Sequence, residues 1–208
     1  MAVIWRVSED KILYPDAVLQ MEEKIALIRE NSAAEEVWLL EHPPLYTAGT
    51  SANAEDLLDS RFPVFASGRG GQYTYHGPGQ RIAYVMLDLK RRGMMDLHAY
   101  IWHLEEWLIR TLARFNIEGF RRVGRVGVWV LNAKGGEAKI AALGIRVRQW
   151  VAYHGVALNI DPNLEHFSGI VPCGIKGFGV TSMYEMGQFP SMEEVDMQLR
   201  DVFSEVFL

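Results

Sequence analysis

The sequence predicts an α+β fold, a mixed or mostly antiparallel sheet flanked by helices. Three observations carry this. Apolar residues recur at helical spacing in three separate stretches, one near each end and one mid-chain. The other apolar stretches are short and strand-like, and after the central helix they follow one another with no helix between. Regular alternation of strand and helix, the mark of a doubly wound sheet, is absent. No internal repeat, low-complexity tract or linker interrupts the 208 residues, so residues 1–208 are read as one domain.

Residues 3–7 read as a first strand. Asp16 is expected to cap a helix that buries Val18, Met21, Ile25 and Ile28. Residues 36–41 form a short apolar strand, ended by His42-Pro43-Pro44, because proline has no N–H to give a ladder. Residues 45–50 continue as strand or turn, and residues 82–89 are a strand. Asp96 caps the strongest helix, which carries Leu97, Tyr100, Ile101, Leu104, Trp107, Leu108, Leu112 and Phe115 on one face. Met95 and Tyr100 stand where a hydrophobic staple would put them. Strands follow at residues 126–131, 139–149 and 151–160, the first two joined by a turn with Gly135-Gly136. Residues 163–169 allow one or two helical turns. Ser191 and Glu194 form a capping box for a last helix burying Val195, Leu199, Val202, Phe203 and Val206.

Hydrophobic content of 49% with 23% charged residues suits a water-soluble core-forming chain. No apolar run approaches the roughly 18 residues of a membrane span. The first ten residues lack a basic patch followed by an apolar core, so no secretory signal is expected. One cysteine and no signal point to a reducing, cytoplasmic compartment. A net charge of -5 argues against non-specific nucleic-acid binding. No His or Cys spacing matches zinc, so no metal is expected. Arg121, Arg122 and Arg125 belong to a looser basic cluster, read as solvated surface or as a face that steers an acidic partner.

Four stretches have the residues for chemistry. Cys173, the sole cysteine, sits between Pro172 and Gly174 on a stiff, accessible bend, either as buried filler or as a reactive thiol. Residues 67–80 are glycine-dense. Gly68, Gly70 and Gly71 let backbone approach a ligand, or simply end a hairpin around strand-like residues 72–76; the spacing is not that of a P-loop. Lys139 starts an apolar strand, so it either snorkels from the strand end or stands at the rim of an apolar site. His154 is read as a strand histidine bonded to backbone, with a base as the alternative. His42 is read as structural.

Taken in order, these stretches resemble one family. His42-Pro43-Pro44, Arg69-Gly70-Gly71-Gln72, Tyr75-His76-Gly77-Pro78-Gly79-Gln80, Lys139-Ile140-Ala141 with Leu143-Gly144, residues 154–159 and Pro172-Cys173-Gly174 form the pattern of the lipoyl(octanoyl) transferases. These enzymes move octanoate from acyl carrier protein onto lipoyl domains. The resemblance runs from about residue 41 to 183, and its specificity lies in the order of the blocks.

The resemblance implies a fold similar to the catalytic domain of biotin and lipoate protein ligases. It implies Cys173 as the acyl-thioester nucleophile and Lys139 as the ammonium that lowers its pKa. It implies substrate contacts at Arg69, Gly70, Gly71 and Gln72, and at Tyr73, Thr74, Tyr75 and His76. Further contacts are implied at Ala142, Leu143 and Gly144, and at Gly155, Val156 and Ala157. Many members carry serine where this chain has Ala142, so a hydroxyl role is excluded there. The implied partners are octanoyl-acyl carrier protein as donor, and as acceptors the lipoyl domains of 2-oxoacid dehydrogenase complexes and the glycine cleavage H protein. No cofactor is implied, because the thioester is already activated. The acyl slot is expected where Gly70, Gly71, Gly144 and Gly155 leave room, with Tyr73 and Tyr75 as its walls. The alternatives are an ATP-dependent lipoate or biotin ligase of the same fold, a cysteine hydrolase with His154 as base, and a non-enzymatic binding module.

Overall fold

The computed structural model describes residues 3–132, 135–171 and 179–207. In chain order the elements are β1 (Val3–Val7), α1 (Tyr14–Arg29), β2 (Glu35–Leu40), β3 (Leu45–Ala48), β4 (Val64–Ala66), β5 (Tyr73–His76) and β6 (Gln80–Asp88). Then come α2 (Leu97–Ala113), β7 (Phe120–Arg122), β8 (Arg125–Leu131), β9 (Glu137–Arg148), β10 (Val151–Asn159), β11 (Gly179–Val180) and α3 (Met192–Phe207).

The large sheet runs β1-β2-β6-β10-β9-β8-β7, with β11 on β9. β1–β2 and β9–β11 are parallel; the other pairs are antiparallel. This is the mixed sheet that successive strands after α2 predict. β4-β3-β5 form a small second sheet, inserted between β2 and β6.

Period-two alternation divides the large sheet into two buried faces. Val37, Leu39, Val85, Leu87 and Leu158 pack under α2 and α3. Trp38, Leu40, Ile82, Tyr84, Met86 and Ala157 pack under α1. The indole N–H of Trp107 donates to Leu199 O at 2.7 Å, tying α2 to α3. The small sheet has its own aromatic cluster, with Tyr46, Tyr73, Tyr75 and Phe167.

Asp96 accepts from His98 N and Ala99 N, and Ser191 and Glu194 exchange the reciprocal bonds of a capping box. Two expected end signals are corrected. α1 begins at Tyr14, not after Asp16; Pro15 starts the first turn, where a missing N–H costs nothing, and Asp16 lies inside that turn beside the positive helix end. Met95 is half exposed and makes no staple, while Met94 packs on the core instead. β4, β7 and β11 have only two or three residues, too few to carry a period.

Candidate active site

A cavity of about 400 Å³ opens on the α1 face of the large sheet, beyond the helix and beneath the inserted segment. Strand register explains the space. Gly144 of β9 lies opposite Gly155 of β10, and Ala142 lies opposite Ala157. Paired residues point to the same side of a sheet. Two neighbouring pairs therefore present nothing larger than a methyl group, and the floor stays low. A Cβ on Gly155 would come within 2.2 Å of Ala83 O, and one on Gly144 within 2.6 Å of Arg69 Cδ. Both close approaches require glycine.

The glycine-dense loop forms the roof. Arg69 is buried, and its guanidinium donates to Thr47 O, Thr47 Oγ1, Gly70 O and Gln72 O at 2.7–2.9 Å. Gly70 N donates to Ile145 O at 2.9 Å, pinning the loop over β9. Arg69 thus shapes the roof and also adds positive potential to the cavity.

Two histidines face the space. Burial pushes the His76 imidazole down to about 3, with His42 and Arg69 adding to the effect. It is neutral near pH 7. Nδ1–H donates to Gln80 Oε1 at 2.7 Å, since the Gln80 amide nitrogen is occupied with Tyr75 O and Asn159 Oδ1. The lone pair on Nε2 is left toward the cavity that His76 lines. His154 differs from its expected role. Its φ is 58°, the ladder to β6 breaks between Ala152↔Leu87 and Gly155↔Tyr84, and its ring hydrogen-bonds to no described residue. The left-handed φ turns the imidazole onto the α1 face, stacked on Tyr153 with centroids 5.0 Å apart and edge-on to Tyr84. Burial, aided by Arg69 and Arg146, pushes it down to about 3.

His42 is structural, as expected. Its Nδ1–H donates to Ile12 O at 2.6 Å, so Nε2 accepts from the Tyr84 hydroxyl at 2.7 Å. Burial holds it down near 4.

Lys139 lies at the β8 end of the cavity and is 7% exposed. Its Nζ donates to Val126 O at 3.0 Å and lies 4.9 Å from the Trp129 ring centroid. Among the described residues no carboxylate pairs with it. A buried ammonium with one carbonyl and one ring face has donors to spare for an incoming anion. Lys139 is therefore at the rim of the site, not snorkelling away from it.

Cys173 and its neighbours 172–178 lie outside the described residues. The flanking chain is placed: Val171 N donates to Asp56 O at 2.8 Å, and β11 pairs Val180 with Lys139.

Most of the expected contact residues border this one cavity: Arg69, Gly71, Gln72, Tyr73, Thr74, His76, Ala142, Leu143, Gly144, Gly155, Val156 and Ala157. Gly70 and Tyr75 do not. Tyr75 is a correction to the expected wall; it points into the aromatic cluster and hydrogen-bonds with His166 Nδ1 at 2.8 Å. Strand alternation gives the reason: Thr74 and His76 face the cavity, so Tyr75 faces away. Leu143 and Val156 border the cavity, although their side chains pack with the core on the other face. Tyr14, Ile82, Tyr84, Gly124, Arg125 and Val126 line it as well, beyond the expected contacts. The period of β6 places Ile82 and Tyr84 on one face, but nothing local marks Tyr14.

Comparison with known proteins decides the family. The lipoyl protein ligase A/B catalytic domain model matches residues 15–204. An octanoyltransferase of Paramagnetospirillum magneticum is 62% identical over 206 residues, covering 99% of this chain and 97% of that protein. The chain belongs to the octanoyltransferase family. An octanoyltransferase of Rhodospirillum rubrum is 59% identical over 204 residues, covering 98% and 94%. The fold is that of a ligase catalytic domain. A lipoate-protein ligase A bound with ATP superposes with a TM-score of 0.71 at 17% identity, over 97% of this chain and 84% of the other. A biotin protein ligase from Aquifex aeolicus in complex with biotin and ATP gives 0.57 at 15%, over 99% and 69%. Within this family the chain is an acyltransferase.

Proposed function

We propose that this acyltransferase takes an octanoyl group from octanoyl-acyl carrier protein onto Cys173 as a thioester, then passes it to a lysine of a lipoyl domain. The observation that carries this reading is the buried Lys139, with no carboxylate partner among the described residues, beside a cavity with a floor of small residues. Cys173 is six residues from Gly179, so the covalent chain keeps it within about 20 Å of the strand that pairs with Lys139.

An ordinary cysteine is only a few per cent thiolate near pH 7, and a neighbouring ammonium raises that fraction. The thiolate attacks the donor thioester, and the departing carrier thiolate takes a proton from Lys139. The neutral acceptor amine then attacks the Cys173 thioester. It forms the amide and gives its proton back to Lys139 as the Cys173 thiolate leaves. Both steps balance without ATP. The cavity holds the acyl chain, whose six inner methylenes contribute at most about 5 kcal/mol on burial. The roles of Arg69, Gln72, Thr74 and His76, and of Ala142, Gly144, Gly155 and Ala157, are to shape and line this slot. The acceptors are the lipoyl domains of 2-oxoacid dehydrogenase complexes and the glycine cleavage H protein, and the compartment is the cytosol.

The test is transfer from octanoyl-acyl carrier protein to a purified lipoyl domain in the absence of nucleotide. Amide product without ATP is expected. Product formed only from free octanoate plus ATP would make the chain a ligase, and release of free octanoate alone would make it a hydrolase.

A further inference from the structure

We infer that Tyr14 is the acyl-chain stop, the residue that sets the longest chain this enzyme accepts. The inference rests on the acyl cavity proposed above and assigns its closed end.

Two hollows meet at Tyr14. Tyr14 lines the main cavity, together with Ile82, Tyr84 and Ala157 of its α1 face. A second, more open hollow of about 320 Å³ lies between α1 and β4, lined by Tyr14, Pro15, Val18, Leu19, Phe65 and neighbours. Among the described residues Tyr14 alone belongs to both linings. It is the side chain at which the two hollows adjoin.

This side chain is held in place. Tyr14 is 4% exposed, and its hydroxyl donates to Ser67 Oγ at 2.7 Å. The ring packs against Phe65 and edge-on to His42, with centroids 5.5 and 5.6 Å away. Pro15 follows immediately and fixes the start of the helix that carries Tyr14. An aromatic ring held by two neighbouring rings and at its tip gives a hard limit rather than a yielding one.

The dimensions agree. From Ala142 on β9 across Ala157 to Ile82 on β6, the floor crosses two strand spacings, about 10 Å. Eight carbons in an extended zigzag have seven bonds of about 1.5 Å and span roughly 9 Å. A chain lying across this floor ends at the Tyr14 wall. Longer chains would need the second hollow, which Tyr14 closes off.

The experiment measures acyl-enzyme formation by intact mass, using carrier-protein thioesters of six, eight, ten, twelve and fourteen carbons. Wild type should react best with eight carbons and fall off steeply beyond ten. Tyr14→Leu keeps apolar bulk but removes the ring. It should raise the twelve-to-eight carbon rate ratio roughly four- to fifteenfold, the scale set by one to two buried methylenes. Ala157→Val raises the floor without touching the wall and should shift the optimum toward six carbons. An unchanged length profile in Tyr14→Leu overturns the assignment. If Tyr14→Leu does not fold, an unchanged profile in Ala157→Val overturns the acyl path that leads to Tyr14. Wild type that accepts no chain of any length overturns the transferase reading itself, and the chain stop with it.

Discussion

At the scale of single residues, the chemistry depends on what surrounds one ammonium. Lys139 is buried with a carbonyl and an indole face as its partners, and no described carboxylate pairs with it. That leaves its field available to a thiolate. Lys139→Met keeps an unbranched chain of similar length but removes the charge. The rate of iodoacetamide alkylation of Cys173, the sole thiol, should reach half-maximum at a higher pH in the variant than in wild type. Acyl transfer at neutral pH should fall further than alkylation, since proton exchange is lost as well. An unchanged alkylation profile would mean that another source, such as a loop of backbone N–H groups, stabilises the thiolate, since His76 and His154 are held neutral. The sequence marks Lys139 by its isolation at the start of an apolar strand. It does not mark the rotation of His154, because a positive φ in a non-glycine residue has no local signature. The orientation of Tyr75 was legible, because the alternation of residues 72–76 sets it opposite Thr74 and His76.

At the scale of elements, the cavity follows from the register of β9 against β10 and of β10 against β6. Glycines and alanines in two strands are ordinary in each strand alone; a hollow appears only when register sets Gly144 opposite Gly155 and Ala142 opposite Ala157. Sequence spacing identifies the strands and cannot give their register, which is why the floor was not legible. The caps at Asp96 and Ser191 were legible, because a cap is a local arrangement of three or four residues. A pair of variants tests the close approach. Gly155→Ala drives a methyl group into Ala83 O of β6 and should cost about 2–3 kcal/mol by chemical denaturation, with loss of transfer. Gly68→Ala meets only the outer part of the flexible Arg146 side chain, from Cδ to the guanidinium, which can swing away, and should cost under about 0.5 kcal/mol. Equal costs would mean that β10 can shift, and that the floor is not fixed by its glycines.

At the scale of the whole molecule, charge and burial set two properties. The basic cluster considered for steering an acidic partner is engaged by carboxylates: Arg121 with Glu105 and Glu106, and Arg122 and Arg125 with Glu137. Its far field is correspondingly weak, which charge counting along the sequence did not reveal because the glutamates come from other elements. Buried neutral histidines make the fold acid-labile. His42, His76 and His154 are held to about 4, 3 and 3 by burial, against an unfolded value near 6.5. A depressed folded pKa gives stability that is present above about pH 6.5 and lost as pH falls, since only the unfolded chain takes up the protons. Burial raises Asp196 to about 6, which offsets one of the three protons between about pH 6 and 4. The net uptake of about two protons predicts a loss of roughly 3 kcal/mol per pH unit in that window. Urea midpoints measured from pH 7 to 4.5 check it, and a flat profile would mean that these histidines are not neutral in the fold. The order of the motifs along the chain made the family and the fold legible, whereas the cavity that joins them exists only in three dimensions. The most direct test of the account is to mix the protein with octanoyl-acyl carrier protein, without an acceptor, and weigh the intact chain. One octanoyl group that is released by hydroxylamine, maps to Cys173 and moves onto an added lipoyl domain is the predicted result; transfer to that domain with no acyl group ever found on Cys173 would contradict it.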